Sequence, residues 1–217
     1  MKTKLLGLIF AGIMLAAGQA SAAIVSLSVS GGTTGNTIPL NFYTPAISPI
    51  PGAIAGTTPI TEFGVGGGLQ VSGPAIVHFQ YLGFDAGFSN SFGSGLSTLF
   101  TTASSLVGDT AEVVAGGSGT VPFFFHTNDG GSPLTGYNGG PIPSPLSIAF
   151  ADLGDGSFLA LFNDGGGNPT DDKDYNDMIV RVSVSPVPLP AAAWLLISAV
   201  LGLVSFSRIR RTGTQSV

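Results

Sequence analysis

Asp177-Met178-Ile179-Val180-Arg181-Val182-Ser183-Val184 alternates apolar and polar residues over most of its length. Extended backbone sends successive side chains to opposite faces. Met178, Val180, Val182 and Val184 therefore share an inward face, with Arg181 and Ser183 outward. Working upstream, Phe158 to Phe162, Leu146 to Phe150 and Val121 to Phe125 are compact apolar runs suited to strands buried on both sides. Ala75 to Leu82 places Ala75, Val77, Phe79 and Tyr81 on one face, and Ile24 to Ser30 does the same with Val25, Leu27 and Val29. Gly- and Pro-rich stretches separate these runs: Gly31 to Pro39, Pro45 to Pro59, Gly64 to Gly68, Gly116 to Gly119 and Asn128 to Pro145. Short strands punctuated by turn formers are the pattern of a sandwich. The expectation is an all-β chain with a single jelly-roll-like β-sandwich over 23–185. Gly95 to Ala103 admits one short helix without changing that class.

The first 22 residues carry Lys2 and Lys4, an apolar run from Leu5 to Ala17, and small residues at Ala20 and Ala22. This is the layout of a signal peptide over 1–22, cut by signal peptidase before Ala23. The apolar run is short for a membrane span. At the other end, Leu189 to Ser207 is uncharged. At about 1.5 Å of rise per residue it is long enough to cross a hydrocarbon core as a helix. Trp194 stands near its outer end, and Arg208, Arg210 and Arg211 follow it. The positive-inside rule then leaves the tail in the cytoplasm and the β domain outside. Pro186, Pro188 and Pro190 keep the junction extended.

With the ends set aside, all twelve acidic residues fall between Ala23 and Pro190, against only Lys173 and Arg181. About ten net negative charges disfavour nucleic acid, which needs clustered cations, and favour divalent metal ions. No cysteine is present, which removes thiol catalysis, Cys-based zinc sites and disulfides. Roughly 165 residues bury enough surface for one core without them.

The acidic residues concentrate in Asn163-Asp164-Gly165-Gly166-Gly167-Asn168-Pro169-Thr170-Asp171-Asp172-Lys173-Asp174-Tyr175-Asn176-Asp177. Five carboxylates in one loop repel each other, and Lys173 alone offsets them locally. In an extended segment Asp172, Asp174 and Asn176 project to one side. Ca²⁺ accepts six to eight oxygens flexibly, whereas Mg²⁺ demands a tight octahedron. Asp164, Asp172, Asp174, Asn176 and Asp177 are therefore the candidate Ca²⁺ ligands. The loop is not an EF-hand, because Asp177 stands where the glycine belongs and no closing Glu follows. The competing reading is a solvated turn, since Asp, Asn and Gly make turns in any case.

Two resemblances extend these readings. Val187-Pro188-Leu189-Pro190, followed by Ala191-Ala192-Ala193-Trp194-Leu195-Leu196, the apolar helix and the arginines, resembles a PEP-CTERM sorting signal of the V-P-L-P-A-A variant. Leu189 replaces the Glu of the usual motif. The resemblance implies that segment 186–217 is recognised at the inner membrane and cleaved near its Pro motif by an exosortase. It also implies a Gram-negative bacterium that makes exopolysaccharide. Phe158 to Asp164 with Asp172-Lys173-Asp174-Tyr175-Asn176-Asp177-Met178 resembles the closing motif of an exported β-rich family of unknown function, a motif thought to bind calcium. Asn163 stands where that motif has an acidic residue. Phe84-Asp85-Ala86-Gly87-Phe88-Ser89-Asn90-Ser91-Phe92 is similar to an element of PEP-CTERM proteins that share this ending.

Other chemistry is thinly represented. His78 and His126 lack zinc-site or metalloprotease spacing. No G-x-S-x-G elbow occurs, and nothing pairs Glu62 or Glu112 with another carboxylate as a glycosidase requires. The chain reads as a non-enzymatic surface or extracellular-matrix protein associated with exopolysaccharide. A carbohydrate-binding module is the alternative, and a secreted hydrolase follows it.

Overall fold

The apolar run nearest the C-terminal strand, Phe158 to Phe162, becomes its neighbour in a seven-stranded antiparallel sheet, and Leu146 to Phe150 lies one strand further out. The computed structural model describes residues 24–39, 57–62, 67–129, 132–165, 175–188 and 198–201. The strands are β1 (Leu27–Ser30), β2 (Thr33–Pro39), β3 (Thr57–Glu62), β4 (Gly68–Val71), β5 (Ala75–Gly83), β6 (Ser89–Ser94) and β7 (Ser97–Thr101). They continue with β8 (Thr110–Ala115), β9 (Gly119–Thr120), β10 (Phe124–Asp129), β11 (Ser132–Tyr137), β12 (Ser147–Asp152), β13 (Phe158–Asn163) and β14 (Met178–Pro186). The large sheet runs β2-β3-β12-β13-β14-β5-β8, a second sheet runs β11-β10-β6-β7, and a small one runs β1-β4-β9. Residues 24–187 form one unit, and the terminal residues belong to another.

Phenylalanines join the large sheet to the four-stranded one. Phe79 of β5 meets Phe92 of β6 edge to face at 4.9 Å, and Phe125 of β10 stacks on Phe162 of β13 at 4.8 Å. Such pairs add about 0.5–1.5 kcal/mol to the area they bury. Met178, Val180 and Val182 enter the same core from β14, and Leu27, Leu69, Val71 and Val121 close it beside the small sheet. β13 is buried at every position. Its other face, with Ala149, Ala151 and Ile179 on neighbouring strands, forms a second apolar cluster that includes Leu159, Leu161 and Tyr175. Burial on both faces explains the unbroken apolar runs of β12 and β13.

Asn138 staples the small sheet to the rest. Its Oδ1 accepts the Leu69 N–H at 2.8 Å, and its Nδ2 donates to the Leu69 and Val121 carbonyls at 3.0 and 2.7 Å. Gly68 has φ +150°, and a Cβ there would come within 2.5 Å of that Oδ1. The position excludes a side chain.

Five expectations change. Residues 33–39, 57–59 and 132–137 are strands rather than loop, and β3 runs on to Glu62. β2 and β11 are the outer strands of their sheets, where Pro39 and Pro133 need not supply a ladder N–H. The Thr-rich stretches also favour extended backbone. Val121 to Phe125 is only partly strand: β10 starts at Phe124 and alternates in burial, although Val121 and Phe123 are buried ahead of it. Gly95 to Ala103 is no helix. Gly95, at φ +61°, turns β6 into β7 so that Phe92 pairs with Phe100.

Residues 198–201 form one helical turn. Among the described residues no helix is long and apolar enough to cross a membrane. The expected signal peptide, Leu189, Pro190, Arg208, Arg210, Arg211 and most of the 189–207 helix lie outside the described residues.

Candidate functional site

The long acidic loop is the connection between β13 and β14, so the antiparallel ladder decides where its two ends go. Phe162 pairs with Met178. The residues just beyond that rung, Asn163-Asp164 and Asn176-Asp177, must therefore meet. The Asp164 N–H donates to Asp177 Oδ2 at 2.7 Å. Asn90, from β6 of the other sheet, joins them: its Nδ2 donates to Asp164 Oδ2 at 2.8 Å and to the Asp177 carbonyl at 3.3 Å. Asp85, in the connection between β5 and β6, donates its N–H to the Asn176 carbonyl at 2.9 Å.

All four polar residues are buried: Asn90 and Asp164 at 2% exposure, Asn176 at 4% and Asp177 at 6%. Tyr175, also buried, holds φ +56°, a conformation side-chain-bearing residues adopt rarely and mostly where surrounding structure enforces it. Gly165 turns the chain at φ +75° against Pro145, leaving no room for a Cβ. Asn163 donates through Nδ2 to Ser147 Oγ at 3.2 Å, a bond that a carboxylate at this position could not donate.

Of the five expected ligands, Asp164, Asn176 and Asp177 converge, and Asp172 and Asp174 lie outside the described residues. Among the described residues no group of three His, Cys, Asp or Glu side chains is placed to hold a metal. The donor chemistry here is different: two buried carboxylates and amide oxygens. Asn90 Oδ1 is buried and has no hydrogen-bond partner among the described residues. An all-oxygen set of carboxylates and amides fits Ca²⁺.

Asn90 is not among the expected ligands. The signal was present in Phe84 to Phe92, but the residues gave it no role. Only the sheet packing brings that strand to the loop.

A second constellation crosses the outward face of β14, β5 and β8. His78 Nε2 lies 2.8 Å from Ser185 Oγ, and its Nδ1 lies 2.9 Å from Glu112 Oε1. The pairing His78↔Glu112 and Ser183↔His78 sets this row, and no spacing along the chain reveals it. A depression of about 380 Å³ beside it is lined by His78, Gln80, Glu112, Arg181 and Ser183. The Glu112 side chain is 62% exposed, so its charge is well solvated. His126 lies in the other sheet, where Nδ1 bonds Thr135 Oγ1 at 2.9 Å, and the two histidines do not form a pair. Arg181 is engaged by the β12–β13 turn, donating to Asp155 Oδ2 and to Ser157 Oγ. Hydrogen bonds from Ser157, then the Arg181 charge, hold the Asp155 carboxyl below its ordinary range.

No protein-family model matches the chain, and no curated protein matches it.

Proposed function

We propose that this chain is a non-enzymatic exported surface or matrix protein whose jelly-roll-like β-sandwich is stabilised by Ca²⁺ in the 164–177 loop. In this reading an exosortase sorts it through segment 186–217, and the released domain associates with exopolysaccharide. The observation that carries the reading is the meeting of Asp164, Asn176 and Asp177 around buried Asn90. A disposable turn would leave its acidic residues in water, where they cost least. Here the acidic ends are buried between the sheets. In addition, Val187 and Pro188 are exposed directly after β14, so the start of the Pro motif is open to a processing enzyme. Fractionation of the native host with intact-mass measurement tests the sorting. A surface form lacking the C-terminal segment is expected, and mature protein that retains residues 191–217 overturns it.

The Ser185–His78–Glu112 row favours a second reading, a secreted hydrolase. The connectivity is that of nucleophile, base and orienting carboxylate. A fluorophosphonate probe separates the two readings. Covalent labelling at Ser185 that vanishes in His78→Ala would establish the hydrolase, and an unlabelled Ser185 leaves the row as a surface hydrogen-bond chain.

A further inference from the structure

We infer that Asn90 is itself a ligand of the cation, supplying its amide oxygen, so that the bound ion links the two sheets. This rests on the calcium reading of the 164–177 loop and extends it to a strand far upstream.

The argument starts from what an amide offers. Asn carries two donors on Nδ2 and an acceptor oxygen on Oδ1. Its terminal torsion is broad and roughly two-fold, so either end can face a given neighbour. Here Nδ2 faces the loop ends, bonding the Asp164 carboxylate at Oδ2 and the Asp177 backbone carbonyl. Oδ1 is left buried with no hydrogen-bond partner among the described residues. A buried acceptor left unsatisfied costs about 1–3 kcal/mol. Leu or Val would avoid that cost if Asn90 only filled space in the sheet. With the amide turned over, a cation between the two carboxylates gives that oxygen a partner. It takes up the oxygens that Nδ2 now serves, and it accepts Oδ1 as a neutral ligand of the kind Ca²⁺ uses alongside carboxylates.

The placement gives this a structural consequence. Asp164 and Asp177 flank β13 and β14 of the large sheet, while Asn90 belongs to β6 of the four-stranded sheet. Asn90 is further fixed by its backbone, whose N–H bonds Thr102 Oγ1 and whose carbonyl accepts the Thr102 N–H. A metal held by all three residues closes the sandwich at this end.

The test uses the full-length chain purified in detergent, with Ca²⁺ alone as titrant, read by calorimetry and by melting with Ca²⁺ or chelator. Wild type is expected to bind Ca²⁺, and Asn90→Ala to bind it about tenfold more weakly. Asn90→Asp guards against loss of folding in the alanine variant, because it keeps an oxygen but places a third carboxylate in the site. Its melting temperature should fall in chelator and be restored by Ca²⁺, giving a larger calcium shift than wild type. If wild type binds while Asn90→Asp is lowered equally with and without the ion, Asn90 serves only as a donor and this inference fails alone. If wild type itself neither binds Ca²⁺ nor shifts, the calcium reading falls as well.

Discussion

Tyr81 shows what one buried polar atom does to stability. Its ring stacks on Phe100 at 5.8 Å, and its hydroxyl is buried with no hydrogen-bond partner among the described residues. Burial pushes its pKa up to about 12. The folded chain then keeps a proton that the unfolded chain gives up near pH 10. The stability from this group is fully present below pH 10 and is lost as pH rises toward 12. The loss amounts to roughly 2–3 kcal/mol. Tyr81→Phe has no such proton. Urea unfolding of both proteins across pH 9 to 12 should show the wild type losing more stability than the variant. At neutral pH the variant should be equal or slightly more stable, since it removes an unsatisfied hydroxyl. Parallel pH profiles would mean that the hydroxyl is hydrated. Asn138 presents the opposite case, an amide with both ends satisfied by the Leu69 and Val121 backbone. Asn138→Ala should cost about 2 kcal/mol or more in the same assay, because it leaves those groups bare.

Among the elements, legibility in the sequence followed the strength of the hydrophobic pattern. β5, β12, β13 and β14 were readable because burial imposes either alternation or an unbroken apolar run, and their observed spans agree closely with the patterns. β2, β3 and β11 were not, because strands rich in Thr, Gly and Pro look like connections until the sheet pairs them. The candidate site divides in the same way. Asp164, Asn176 and Asp177 were visible as a local cluster. Asn90 and the Ser185–His78–Glu112 row depend on which strands become neighbours, a property of topology and register rather than spacing. The double burial of β13 makes a quantitative claim at this scale. Leu161 belongs to the second cluster and is as inaccessible as Phe162 on the core side. Leu161→Ala should therefore lower stability by about 2–4 kcal/mol with an unchanged urea m value. Exposed Leu106, changed in the same way, should stay within about 0.5 kcal/mol. Equal small effects at both positions would show that the second face is not packed in solution.

For the molecule as a whole, charge and the proposed ion site are one problem. Twelve acidic residues against two fixed cations between Ala23 and Pro190 create a self-repelling domain. Any salt relieves that repulsion by screening, since the Debye length falls to about 10 Å at 0.1 M. A rise in melting temperature with added salt is thus no evidence for a site. A specific site acts differently: an ion that binds only the folded state stabilises by mass action, about 2.7 kcal/mol at one hundred times its dissociation constant. For a domain of this size that is a shift of about 5–10 °C. At matched ionic strength, therefore, saturating Ca²⁺ should raise the melting temperature of the full-length chain by that amount over NaCl. Mg²⁺ should recover only a small part of it, because carboxylate and amide oxygens on a long loop suit the larger, less directional ion. Asp177→Asn removes one charge from the site and should shrink the calcium increment while leaving the NaCl response nearly intact. Equal shifts with Ca²⁺, Mg²⁺ and NaCl would mean that the acidic loop responds to screening alone.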